Sequence, residues 1–210
     1  MTRFDDLFVD ARAYLPPTPW QARFSNLLVL LTAGLLLLGG WMFKDWMQDQ
    51  FRYLALNENE IAIPYPPNWV LSPTAEGDFQ ALDPDGPREF PAREQVRILP
   101  LPDAPLATYW PGQRAAELDD YIELERRPVT LTDGREALLL GYAYAVRAED
   151  VAPLVAVRAV DLVFIGKYEG ERRLVVVTLA AASGDWERAW PTFQRVLAKL
   201  GVEDATFAGK

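Results

Sequence analysis

The sequence predicts an α+β fold, with a single N-terminal transmembrane helix followed by an antiparallel β-sheet domain covered by helices. Three observations predict it. The run Phe24 to Phe43, FSNLLVLLTAGLLLLGGWMF, carries no charge. Its roughly 20 residues make about 30 Å of helix, enough to cross the hydrocarbon core of a bilayer. Two pairs of apolar stretches, each joined by a short glycine-containing turn, read as consecutive β-hairpins. A final segment places Trp186, Trp190, Phe193, Leu197 and Leu200 on one helical stripe.

The elements follow in order. In residues 1–23, Phe4, Leu7, Phe8, Ala11, Tyr14 and Leu15 form an apolar stripe at helical spacing. Thr2 is its cap and Pro16-Pro17 end it. Acidic residues outnumber basic ones here, unlike a membrane-surface helix. The stripe is therefore read as docking on a partner protein, with a frayed interfacial helix as the alternative. Residues 24–43 are the transmembrane helix. Trp20 on one side and Trp41 and Trp46 on the other fit interfacial aromatic belts. A signal peptide has a shorter apolar core and a small-residue cleavage site, so the run is read as a retained anchor. Arg23 at its N-terminal border favours a cytoplasmic N-terminus and an extracytoplasmic domain. The run contains no Gly-x-x-x-Gly spacing.

Residues 44–57 read as a helix continuation or stalk, and residues 58–203 as the domain, with a tail at 204–210. Within the domain, short strands are expected at 60–65, 69–71 and 79–82, the last closed by Asp83-Pro84-Asp85-Gly86. Gln95 to Leu101 alternates with Val96, Ile98 and Pro100 on one side, and Pro100 and Pro102 suggest that it ends at a sheet edge. Ala115 to Arg126 reads as a helix stopped by Pro128, with Arg126-Arg127 at its C-terminal dipole. Hairpins follow at 129–146 and 158–180, the second supplying the central strands. The last helix covers about 185–200, capped by Ser183 or Asp185.

Ile63-Pro64-Tyr65-Pro66-Pro67-Asn68-Trp69 resembles the opening strand-turn of PsbP-like domains, and LVVVTLAAASGDWERAWPTFQRVLAKL resembles their closing strand and helix. The resemblance covers residues 58–203 as a pattern, with specific residues at the two ends. Members include extrinsic subunits of photosynthetic complexes and membrane-anchored bacterial proteins. It implies a binding or assembly scaffold rather than an enzyme. This chain has no histidine, so metal roles known in that family are not carried over.

Composition narrows the chemistry. The formal net charge of -9 repels phosphate backbones, so no nucleic-acid partner is expected. Cysteine and histidine are both absent. That excludes disulfides, thiolate metal sites and the usual general base. Asp83-Pro84-Asp85-Gly86 lacks the remaining ligands of a calcium loop and reads as a turn. Asp119 and Glu123 would share a helix face, which is read as a solvated acidic surface. No catalytic residue, metal site or cofactor is assigned. Tyr109-Trp110-Pro111 exposes aromatics on a loop, so Tyr109 and Trp110 join the N-terminal stripe as candidate partner contacts, with core packing as the equal alternative. The expectation is a non-catalytic accessory subunit that braces integral membrane subunits of a larger complex in the lipid bilayer, respiratory or photosynthetic. The alternative is a free-standing membrane-tethered module for a lipid or small ligand.

Overall fold

The computed structural model describes residues 18–48, 50–56, 61–73, 79–147 and 154–203. The candidate contacts Phe4, Leu7, Phe8, Ala11, Tyr14 and Leu15 lie outside the described residues, as do the tail and the side chain of Trp46. The chain divides into two units, residues 1–49 and 50–210.

The first unit contains helix α1 (Pro19–Gln48), 30 residues long. Pro19 takes the first helical position, where a missing N–H leaves no bond unmade. The Gln21 backbone N–H donates to Thr18 Oγ1 at 3.3 Å, and the Thr18 backbone N–H donates to Gln21 Oε1 at 3.0 Å. This reciprocal capping box fixes the start of the helix. The stretch Pro19–Lys44 is long and apolar enough to cross a membrane. Its leucines, from Leu27 to Leu38, are 56–77% exposed.

The second unit begins with a two-stranded antiparallel ribbon, β1 (Arg52–Leu56) and β2 (Ile61–Tyr65). β1 thus falls in the 44–57 span expected to be a stalk, and Leu54 and Leu56 pack on the domain core. The main sheet has seven strands: β3 (Val70–Pro73), β4 (Phe79–Leu82), β5 (Arg93–Pro100), β6 (Ile122–Thr130), β7 (Glu136–Arg147), β8 (Leu154–Tyr168) and β9 (Glu171–Ala182). Their spatial order is β3-β4-β5-β9-β8-β7-β6, with every pairing antiparallel. The antiparallel sheet with covering helices is the α+β class expected. β9 is central, and its run Leu174 to Ala181 is buried on both faces.

Strand alternation sorts the core into two layers. Val175, Val177, Leu179 and Ala181 face a cluster formed with Ile61, Ile63, Trp69 and helix α3 (Trp186–Lys199). Leu174, Val176 and Ala180 face a second cluster with Phe90 and Trp110 of helix α2 (Leu106–Glu117). At Gly166 an added Cβ would meet Val175 Cγ2 at 2.9 Å and Ile61 Cδ1 at 3.1 Å. Glycine there lets the ribbon approach β8 closely.

A 3₁₀ turn, Ser183–Asp185, precedes α3. Neither expected cap residue makes a side-chain capping bond, and the Asp185 carboxylate instead binds Arg188 at 2.7 Å. The other end of α3 is a Schellman motif. The Gly201 N–H donates to the Ala198 carbonyl and the Val202 N–H to the Leu197 carbonyl, both at 3.0 Å. Gly201 sits at φ +94, where an L side chain is strained.

Two expectations differ. The helix expected over 115–126 lies earlier, as α2, and overlaps that span only at 115–117, while the charged segment Ile122–Thr130 is an edge strand. Pro111 sits inside α2 rather than before it. Its lost backbone donor leaves the Ala107 carbonyl short of its i+4 partner. Arg126 Nη1, on the neighbouring strand, donates to that oxygen at 3.0 Å. Arg126 and Arg127 are therefore strand residues, not a helix terminus. β5 lies between β4 and β9, but β4 pairs with it only as far as Val96, so its Pro100 end is flanked by β9 alone and forms an open edge, as the prolines led one to expect.

Candidate functional site

The largest concentration of buried polar chemistry lies between α2 and the sheet. Asp161 occupies the middle of β8 and is fully buried. A carboxylate there requires partners, and the surrounding elements supply them. One helical turn of α2 carries Trp110 and Arg114 on the same face. Trp110 Nε1 and Arg114 Nε each donate to Asp161 Oδ2 at 2.7 Å. Arg114 Nη2 reaches Asp161 Oδ1 at 3.2 Å, and Tyr142 Oη reaches the same oxygen from β7 at 3.1 Å. Thr178, directly opposite Asp161 on β9, accepts from Arg114 Nη2 at 2.8 Å. The remaining Arg114 nitrogen meets Glu117 Oε2 at 3.2 Å, which Arg97 of β5 also contacts at 3.3 Å.

The charges are mutually adjusted. Burial by itself depresses the Arg114 guanidinium, but the Asp161 carboxylate raises it overall, so it stays firmly charged. Burial and then the adjacent Asp161 charge push the Tyr142 hydroxyl well above its usual range. Burial raises Glu117, yet its bond from Gln113 and the charges of Arg97 and Arg114 leave it lowered. Tyr121, its ring tilted against that of Tyr142 with centroids 5.5 Å apart, is pushed up to about 12 by burial and Glu123. The network holds its tyrosines protonated and saturates Asp161 with four donors. It clamps α2 to β7, β8 and β9, leaving no acid–base pair open to a substrate.

Glu94 is a different kind of buried acid. It lies on β5 on the same face as Val96, opposite Ala81 and Leu179. The residue is fully buried, and neither carboxyl oxygen has a hydrogen-bond partner. Burial raises its carboxyl well above the carboxylate range. No partner charge offsets that desolvation, so the protonated form is the one the core favours.

The sequence-derived candidates are separated by this geometry. Tyr109 and Trp110 stand on α2, not on an exposed loop. Trp110 is fully buried, so its reading as a surface contact is corrected: its indole anchors Asp161. Tyr109 is half-buried and lines a surface groove of about 420 Å³ with Leu99, Leu101, Gln113 and Glu117. A second groove, about 620 Å³, is bordered by Arg135, Glu136, Lys167 and Arg172. Asp119 lies in a turn and Glu123 on β6, where it pairs with Arg126 at 2.6 Å, so they do not share a helix face. Asp83 to Gly86 is a turn: the Asp85 N–H donates to Asp83 Oδ1 at 3.1 Å, and Asp83 Oδ2 accepts from Arg188 at 3.1 Å. Among the described residues no group of three or more acidic side chains is placed to hold a metal ion.

Arg114, Asp161 and Glu94 were missed as site residues. The available signals were a lone acid within the apolar strand RAVDLVFIG, and a glutamate in phase with Val96.

The chain matches no protein-family model, and no curated protein shows significant sequence similarity to it. Solved structures similar to it include PA94 of Pseudomonas aeruginosa, a protein of unknown function (17% identity, 75% of this chain and 99% of that one, TM-score 0.46). Another is CyanoP, the cyanobacterial PsbP of Synechocystis sp. PCC 6803 (15% identity, 73% and 93%, TM-score 0.49). A third is the Ran-binding protein Mog1p of Saccharomyces cerevisiae (9% identity, 72% and 92%, TM-score 0.44). Nothing about the activities or partners of these proteins follows for this chain.

Proposed function

We propose that this protein is a non-catalytic, single-span accessory subunit that braces integral subunits of a membrane complex, with its N-terminus in the cytoplasm and its domain outside. The observation that carries this reading is the two-sidedness of α1. Ser25, Val29, Thr32, Leu36, Gly39 and Phe43 follow alternating four- and three-residue steps, so they form one seam along the helix. Small or polar residues alternate with large ones along it. Asn26, Ala33 and Gly40 flank it at seven-residue spacing. The opposite side carries Leu27, Leu30, Leu31, Leu37, Leu38 and Trp41, with Gly34 as its one small residue.

In lipid, leucine gains nothing by leaving the acyl chains, and helices associate where small residues permit close backbone approach. The Thr32 hydroxyl already donates to the Leu28 carbonyl at 2.8 Å and is compatible with lipid or protein surroundings. A saturated, closed network around Asp161 supports a structural role for the domain rather than a reactive one.

The test is extraction of native membranes in a mild detergent, followed by affinity purification and native mass measurement. Stoichiometric recovery with integral membrane subunits supports the proposal. Recovery solely as a free monomer overturns it, and recovery in the soluble fraction as a clipped chain overturns the anchor as well.

A further inference from the structure

We infer that Arg93 and Tyr144 form a binding site for a small monocarboxylate with an apolar body, on the face of the main sheet that carries Asp161. Every residue involved lies in the second unit, so the inference depends neither on the anchor nor on the accessory-subunit reading.

The sheet register builds the floor. Arg93 on β5 stands opposite Ala180 on β9, Ala180 opposite Ala159 on β8, and Ala159 opposite Tyr142 on β7. These four share one face of the sheet, where Ala159, Ala180 and Tyr142 belong to the second core cluster. Two alanines in the middle of the row leave the space above them to the longer side chains at its rim. Tyr144 lies two residues further along β7 on the same face, its ring tilted against Tyr142 with centroids 5.8 Å apart.

Arg93 is a half-buried arginine without a counterion. Its guanidinium stacks on Phe90, 3.7 Å from the ring centroid, and its Nε is buried with no hydrogen-bond partner. Arg97 and Arg114 each reach a carboxylate, whereas Arg93 pairs with none among the described residues. Burial lowers the Arg93 guanidinium, and only the nearby Tyr144 offsets it. Burial raises the Tyr144 hydroxyl, with Arg93 opposing, so that hydroxyl stays a proton donor. A guanidinium held flat on a ring presents an N–H edge that matches a planar carboxylate, and a partly desolvated cation gains most from such a partner.

The surroundings select the ligand. One unpaired cation matches one negative charge, and the net charge of -9 disfavours a multiply charged anion such as phosphate. Val146 and Val155, opposite each other on β7 and β8, continue the lining beyond Tyr144 together with Ala182. All three are half-buried and apolar, which suits a hydrocarbon body behind the carboxylate.

The test uses the full chain in phosphatidylcholine nanodiscs, with 4-fluorobenzoate followed by fluorine NMR against empty nanodiscs. Saturable binding that benzoate displaces is expected, while 4-fluorobenzamide does not bind and inorganic phosphate does not compete. Arg93→Leu should weaken binding at least about tenfold and Tyr144→Phe several-fold. Arg172→Leu, which removes an exposed arginine near the other end of β9, should change nothing. Folding of each variant is checked by circular dichroism. Tyr144→Phe removes a single oxygen and keeps the test decisive should Arg93→Leu fail to fold. Absence of saturable binding by the parent, parent-like affinity in either site variant, or an equal loss in Arg172→Leu overturns the site. Displacement by phosphate as effective as by benzoate overturns the ligand class.

Discussion

Arg126 on β6 donates to the backbone carbonyl of Ala107 on α2, 3.0 Å away, at the position where Pro111 cannot. A proline inside a helix deprives the carbonyl four residues earlier of its N–H, and here an edge-strand arginine supplies the replacement. The contact explains how a helix containing Pro111 survives, and why a cationic residue faces α2 from an otherwise polar edge.

Arg126→Ala is expected to destabilise the domain by no more than about 1 kcal/mol, because Arg126 is partly exposed and water can reach the freed oxygen. In a Pro111→Ala background the helix can close its own bond, so Arg126→Ala costs less there. Urea unfolding of the four proteins in a double-mutant cycle gives the coupling. Equal costs in both backgrounds would sink this account.

The Arg114–Asp161 pair predicts a larger and asymmetric effect. Arg114→Met leaves Asp161 buried without its charge partner and is expected to cost about 3–5 kcal/mol. Replacing both, as Arg114→Met with Asp161→Leu, removes the uncompensated charge and should recover more than half of that loss. Denaturant midpoints followed by tryptophan fluorescence decide between a structural clamp and a dispensable contact.

Glu94 makes stability depend on pH. Its folded value lies above its unfolded one, so the native state binds more protons than the unfolded chain between the two. Stability from this group is therefore greatest below its unfolded value, about 4.3, and is lost progressively as pH rises toward the folded value. Glu94→Met, apolar and unbranched, is expected to flatten that slope and stabilise the domain by about 1–3 kcal/mol above the transition. Unfolding measured between pH 4 and pH 9 checks the sign, and a variant with the parent's pH slope rules Glu94 out as its source.

What was legible in the sequence follows from which forces act locally. The β8–β9 hairpin announced itself because both strands are long apolar runs and Glu169-Gly170 adopt the positive φ values of a tight turn. The stripe of α3 was equally plain, with Trp186, Phe193 and Leu197 all buried. α2 was misplaced because its buried side consists of Trp110, Pro111 and Arg114, a set with no apolar periodicity. An arginine reads as a surface residue until its acid is known, and Asp161 lies 47 positions away. The clamp is thus a long-range pairing that neither partner's local context specifies. β6 was mistaken for helix because an edge strand faces little core, and its burial alternates only faintly.

The end of α3 makes a sharper local prediction. Gly201 holds a left-handed conformation, and an added Cβ would meet Thr132 Oγ1 at 2.6 Å and the Thr132 backbone nitrogen at 2.9 Å. The Thr132 N–H also donates to the Gly201 carbonyl at 3.0 Å, tying the β6–β7 hairpin to the helix end. Gly201→Ala is expected to cost at least about 1–2 kcal/mol from the backbone alone. Thr132→Ala in the same chain should relieve the clash with the hydroxyl but neither the close approach to the backbone nitrogen nor the strain, so thermal unfolding of the pair isolates the hydroxyl's share.

The last prediction concerns which side of α1 meets protein. Gly39→Leu inserts a large side chain into the seam, while Leu37→Ala removes one from the leucine-rich side. Neither introduces a charge, so both helices should still insert into the membrane. If α1 packs against integral subunits through its small-residue seam, Gly39→Leu separates the backbones and lowers stoichiometric recovery of those subunits, because close van der Waals contact is what holds helices together in lipid. Leu37→Ala should leave recovery near the parent level, since lipid tails pack against alanine as they do against leucine. The measurement is the ratio of co-purified subunit to this chain after mild detergent extraction, with membrane insertion checked in parallel. The reverse pattern, loss with Leu37→Ala and none with Gly39→Leu, would place the contact on the opposite side and overturn the seam.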